Sequence, residues 1–224
     1  MGRACLIALT VSSGVAFAQA PSWDERIDAG RKAVANGQSA DAIRLFTDAL
    51  HTAEQSGRED LDVAHALLDL AMVYHKQQEE TKAEPLIRHA LAIQQKTLGP
   101  NNPEVIGSLT NLGGRLRDQG RFAEAEPLLV QAMEAGEKVF GPSSIEQVKA
   151  LLGVASLYTK ERKYAEAEPL LKRSITILED LKAYGPAYPS LSEVLGRYAD
   201  LLRKTNREAE AEKVEARATT RPSS

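Results

Sequence analysis

A four-residue phrase occurs three times at a fixed interval. Ala83-Glu84-Pro85-Leu86 returns as Ala125-Glu126-Pro127-Leu128 and as Ala167-Glu168-Pro169-Leu170, each 42 residues after the last. A fixed period of this length is the mark of stacked structural units, each too small to bury its own apolar face. Within one period, Leu109, Leu112, Gly113 and Leu116 recur at helical spacing, a break follows at Gln119-Gly120-Arg121, and Phe122, Ala125, Leu129 and Ala132 start a second stripe. That stripe stops at Phe140-Gly141-Pro142. Gly141 suits a left-handed position after the helix, and Pro142 cannot continue it. The unit is a helix, a tight turn and an antiparallel helix.

The other units follow the same template. Equivalent breaks fall at 37, 78, 120, 162 and 206, with steps of 41, 42, 42 and 44 residues. Small residues hold one fixed place in each first helix (Gly30, Ala71, Gly113, Ala155, Ala199) and one in each second helix (Ala42, Ala83, Ala125, Ala167, Ala211). Helices approach closely only where side chains are small, so ten small residues in register specify one helix-pair geometry. Pro85, Pro127 and Pro169 fall near the fifth residue of their second helices, where proline removes a hydrogen bond. Either those helices start later, or their first turn is loosened. The first unit is the poorest in large core residues. The last is the most charged, as an array needs where stacking ends.

This pattern resembles the tetratricopeptide repeat, with a large-Leu-small first helix and an Ala-Phe-Ala second helix. The long period, the Ala-Glu-Pro-Leu phrase and the Leu-Gly-Pro stop are similar to the kinesin light chain-type subfamily. The resemblance implies an all-α, right-handed solenoid of about five antiparallel helix pairs. The units fall at about 22–57, 61–100, 103–142, 145–186 and 189–218, within one repeat domain spanning 21–218, and 219–224 reads as a disordered tail.

Residues 1–20 have a different character. Met1-Gly2-Arg3 is a short basic start, Leu6 to Val15 is mostly apolar, and Ala16-Phe17-Ala18 and Ala18-Gln19-Ala20 offer small-x-small cleavage sites. This is the layout of a secretory signal peptide, cut after Ala18 in preference to the bond before Pro21. The expectation is an exported protein, periplasmic or secreted. The one cysteine, Cys5, lies in that segment, so the remainder has no disulfide, thiolate metal site or thiol nucleophile. Without Arg3 the balance is 27 basic to 31 acidic residues, which argues against nucleic acid as a ligand. After residue 20, no apolar run approaches the ~20 residues of a membrane-spanning helix.

No metalloprotease HExxH, nucleophile-elbow GxSxG or phosphate-binding GxxxxGK[ST] motif is present. The reading is a non-catalytic protein without a cofactor. A helix face carrying His65, Asp69, Met72 and His75 has ligand-type residues. Its ends are about 15 Å apart along the helix axis, too far for one ion, so no metal site is assigned.

What the resemblance does imply is peptide or protein binding on the inner face, built from the first helices opposite their buried stripe. By register that face holds Asp28 and Arg31; His65, Asp69, Met72, His75 and Lys76; Gly107, Asn111, Gly114 and Arg117; Lys149, Ser156 and Lys160; and Arg197, Asp200, Arg203 and Lys204. Asn111 would bond ligand backbone. Arg117, His75, Lys76, Lys160, Arg203 and Lys204 would meet carboxylates, making an acidic peptide the expected ligand. The positions matching Asn111 hold Asp28, Asp69, Gly153 and Arg197, so the family's asparagine series is mostly absent. A monomer or weak oligomer is expected, with a self-associating structural protein as the alternative.

Overall fold

A computed structural model describes residues 21–181 and 189–220. Ten helices are described: α1 (Trp23–Ala35), α2 (Ser39–Ser56), α3 (Leu61–Lys76), α4 (Glu80–Leu98), α5 (Pro103–Asp118), α6 (Phe122–Phe140), α7 (Ile145–Lys160), α8 (Tyr164–Asp180), α9 (Leu191–Lys204) and α10 (Glu208–Thr220). They pack as five consecutive pairs, α1 with α2 through α9 with α10, and each second helix also packs on the first helix of the next pair. Helix α10 continues to Thr220, two residues into the stretch read as a tail, and 221–224 lie outside the described residues. So do the signal-like segment 1–20 and residues 182–188, where the fourth unit is expected to end.

Each first helix begins at a side-chain cap. Ser22, Asp60, Asn102, Ser144 and Ser190 each accept a bond from a backbone N–H in the first turn, satisfying donors that have no partner inside the helix. Second helices α2, α4, α6 and α8 have no side-chain cap, because the turn before each is closed by backbone. In all five turns an N–H reaches back five residues to the first helix: Gln38 to Ala33, Glu79 to Tyr74, Arg121 to Leu116, Lys163 to Tyr158 and Arg207 to Leu202. This Schellman arrangement needs one left-handed residue, and the five equivalent positions supply it: Gly37, Gln78, Gly120, Arg162 and Asn206. Gln78 and Arg162, both at φ 62, carry a Cβ where glycine is free of strain. Arg162→Gly is therefore expected to stabilise the chain by about 1 kcal/mol, read as a higher urea midpoint at unchanged slope.

The stops between units differ from expectation in one respect. Gly141 has φ 90 and ψ 159, and Gly99 has φ 80 and ψ 164, so neither is in the left-handed helical region. Pro142 and Pro100 follow them, and proline drives the preceding residue to extended ψ. Positive φ with extended ψ is open essentially to glycine alone. Gly57, followed by Arg58, takes the ordinary left-handed cap at φ 69 and ψ 23. The prolines of the repeated phrase are the sixth residues of α4, α6 and α8. The helices do not start later than the sequence suggests; they carry proline inside.

All ten register positions for small residues are buried. At Gly30 a Cβ would lie 2.6 Å from Phe46, and at Gly113 it would lie 2.7 Å from Leu129. Three contiguous cores run along the array, and the half-buried Trp23, Phe122 and Tyr164 pack against them.

Candidate ligand-binding face

Glycine in the first helices opens one part of the inner face. Gly113 and Gly114 are consecutive in α5, and Gly153 lies across from them in α7. With no side chains there, the surface reaches through the first-helix layer to Leu129 of α6, which lies 3.5 Å from where a Gly153 Cβ would be. The result is a cavity of about 300 Å³ with Leu129 and Leu152 as apolar floor. Arg117, Lys149 and Arg197 stand around it, one from each of three successive units, with Thr110 and Pro189 completing the wall. Four of the inner-face positions read from register, Gly114, Arg117, Lys149 and Arg197, thus meet at one place. Leu129 could not be read that way, because it belongs to a second helix and is visible from this side only through the glycine gap.

The other candidates are distributed along the array, and most already have partners. Arg117, with a side chain 19% exposed, makes two 3.1 Å contacts with Asp118, and Lys160 donates to Asp118 at 2.8 Å. Arg117 foremost, and Lys160 after it, hold the Asp118 carboxyl down at about 2 against the cost of its partial burial. Asp69 accepts from Arg31 at 2.8 Å. Arg203 is bound into the end of the array, donating to Glu215 at 2.6 and 2.7 Å and to Glu208 at 3.0 Å. His65 faces Glu104 at 3.0 Å. Met72, Lys76 and Lys204 are exposed, and Lys76 and Lys204 have no ion pair among the described residues. Among the described residues no three His, Cys, Asp or Glu side chains converge to hold a metal ion.

Asn111 sits in a polar chain that links two units. Its Oδ1 accepts from Arg115 Nε at 2.7 Å, Arg115 reaches Glu80 at 3.2 Å, and Glu80 contacts His75. The Asn111 oxygen is therefore engaged, and its amide N–H groups have no hydrogen-bond partner among the described residues. Residue counting passed over Arg115, Glu80 and Asp118, because pairing between units depends on superhelical geometry.

The repeated phrase also acquires a role. Its glutamate joins each unit to the next. Glu84 contacts Arg121 and Arg88; Glu126 accepts from Tyr158 Oη at 3.0 Å and Lys163 at 3.4 Å; Glu168 accepts from Tyr198 Oη at 3.0 Å and Arg207 at 2.8 Å. Arg121, Lys163 and Arg207 hold the same position, just before the second helix of the following unit.

Helix pairs with in-register small residues, joined by Schellman turns and glutamate staples, define a helical repeat array with an inner face of first helices. The tetratricopeptide repeat family model matches residues 30–96, 62–138 and 106–180, and the chain belongs to that family. It is similar in structure to BtubC (BKLC) from P. vanneervenii, at 18% identity and TM-score 0.73 over 90% of this chain and 83% of that one. It is also similar to a putative kinesin light chain of Podosopora anserina with nearly identical TPR-like repeats, at 21% identity and TM-score 0.71, covering 87% and 92%. Pseudomonas aeruginosa pilF matches at 21% identity and TM-score 0.57, covering 89% and 78%. No curated protein matches the chain.

Proposed function

We propose that this chain is a non-catalytic scaffold that holds a segment of a partner protein on its inner face, with one apolar side chain of that segment in the glycine-opened cavity. The family's usual role as a protein-interaction scaffold supports the general reading. The observation that carries the specific one is the cavity itself, where three cations from three units ring a leucine floor. A hydrophobic side chain flanked by a carboxylate matches that arrangement: the floor takes the apolar group and the rim takes the charge. Because Arg117 and Lys160 share Asp118, the acidic group adds to a paired network and does not fill a bare positive field.

The same pairing decides which variant tests the reading. Reversing Arg117 and Lys160 would gather three carboxylates and disturb the array itself. Gly114→Leu is cleaner. A Gly114 Cβ meets nothing nearer than Arg117 at 3.9 Å, and leucine favours helix by nearly 1 kcal/mol over glycine. Peptides selected from a random library on the native chain should pair an aliphatic or aromatic residue with an acidic neighbour. Gly114→Leu should weaken them at least tenfold while raising the melting temperature. Selected peptides that bind the variant equally well would place the site elsewhere.

We propose also that residues 1–20 direct export, on the strength of their basic start, apolar stretch and small-x-small sites. Mass spectrometry of the chain expressed in a bacterial host should find an N-terminus at Gln19. Retention of Met1 on chain recovered from the cytoplasm would count against export. No described helix is long and apolar enough to cross a membrane.

A further inference from the structure

By register, one position late in each second helix and one in the first turn of the next first helix correspond from junction to junction. At the second junction they hold Gln94 and Val105, and at the third Gly136 and Gln147. Each of these two junctions has one glutamine, and it comes from opposite sides. Gln94 is buried and accepts from Ser108 Oγ at 2.6 Å. Gln147 is buried and donates to the Met133 carbonyl at 3.1 Å, with its Oε1 3.0 Å from where a Gly136 Cβ would stand. A third position closes the end of each gap: Leu98 and Phe140, both half-buried against the core.

The first junction lacks all of these. The register places Ala53 and Val63 at the glutamine positions and Gly57 where Leu98 and Phe140 stand. A partly open cavity of about 200 Å³ occupies the place, with Leu50, Ala53, Val63 and Leu67 as its apolar wall and Gly57, Glu54, Arg58, Glu59 and His89 around its mouth. Helix α2 ends at Ser56, one residue short of the length of α4 and α6, which is why Gly57 turns away and leaves the space open. An enclosed apolar cavity of about 150 Å³ accepts benzene, so the volume here has room for one ring with its edge toward the open mouth.

We propose that this cavity is a binding site for a phenyl- or isobutyl-sized apolar group, the kind of group that Leu98 and Phe140 supply at the second and third junctions. It lies between α2, α3 and α4, apart from the inner-face cavity, and is independent of what that face binds. The shared chemistry is a compact apolar group, carried either by a free small molecule or by the side chain of a peptide.

The site has a built-in reporter. Arg58 is at its edge and stacks 4.7 Å from the ring of Trp23, the chain's one tryptophan. Titration of the native chain with toluene, and separately with N-acetyl-phenylalanine amide, should give saturable changes in Trp23 emission and in the methyl resonances of Leu50, Val63 and Leu67. For so small a ligand the dissociation constant is expected near ~1 mM. Ala53→Met fills the space and should weaken binding at least tenfold. If circular dichroism shows that variant misfolded, Ala53→Gln, which copies the second junction, serves in its place. Binding of toluene alone assigns the site to a free small molecule, and equal or tighter binding of the amide assigns it to a peptide side chain. No saturable response to either probe, or binding unchanged by a folded filling variant, overturns the proposal.

Discussion

Replacing Gly113 by alanine is expected to destabilise the array by about 1–3 kcal/mol, whereas the same change at its neighbour Gly114 is expected to stabilise it by about 0.5–1 kcal/mol. Both glycines lie inside α5, and both gain the same helix propensity from a methyl group. They differ in what the methyl group meets. At Gly113 the new Cβ falls 2.7 Å from Leu129 Cγ, 2.9 Å from its Cδ2 and 3.4 Å from the Ala125 carbonyl oxygen. Leu129 is buried among core residues on one side and borders the inner-face cavity on the other, so the methyl group must either push it off its packed position or move α5 away from α6. At Gly114 the space is open. Urea unfolding of the two variants measures the contrast, and for a chain of this size each kcal/mol moves the melting temperature by roughly 2–4 °C. Equal effects of the two changes would mean that the α5–α6 pair is not held at this closeness. Alanine occupies the matching position in units two, four and five, so an approach that requires glycine belongs to units one and three. In unit three it is the same approach that brings Leu129 within view of the inner face, so the glycine that tightens the pair also helps make the cavity.

The period, the turn positions and the small-residue register were legible because each depends on local geometry that repeats. A left-handed turn, a helix stop and a close crossing recur wherever the unit recurs; glycine or alanine marks every close crossing, and glycine marks two of the five turns. The glycines of the Leu-Gly-Pro stop show where local reasoning needs one more neighbour: the residue after Gly141 decides which positive-φ region it enters. The charges were the least legible. Counting placed more bases than acids on the inner face, but Asp118 and Glu80 face it from helix ends, and Glu215 reaches Arg203 from a different helix. Those pairings join residues about one period apart or on opposite helices, and only the way units stack decides them. The cavity at the first junction was hidden for a related reason. It is made by what Ala53 and Gly57 lack relative to their equivalents, so it becomes visible only when register and three-dimensional neighbours are known together.

The glutamate of the repeated phrase carries the second large effect. Glu168→Ala should cost about 2–3 kcal/mol and loosen the last helix pair, because Arg207, Lys172 and Tyr198 of the stapled cluster lose their common acceptor. The Glu168 side chain is 20% exposed, so its partners are only partly compensated by water once it is gone. Limited proteolysis should then release α10 well before the native chain is cut elsewhere. Acid provides a second reading of the same staple. Burial alone would raise the Glu168 pKa, but bonds from Lys172, Arg207 and Tyr198 outweigh it and bring the carboxyl down to about 2 from the ordinary 4.5. A carboxyl lowered by folding contributes stability that is complete above its unfolded pKa and is lost as pH falls toward the folded one. The contribution should therefore be whole at pH 6 and decline between about 4.5 and 2, by about 1–2 kcal/mol after allowance for solvent screening. Glu168→Gln removes the charge and keeps an acceptor, so its stability should lie below the native chain at pH 6 and approach it as the pH drops through that window. Parallel stability profiles for the two proteins between pH 6 and 3 would show that Glu168 does not carry the joint between the fourth and fifth units. Convergence would show that one carboxylate of the counting phrase holds the end of the array in place.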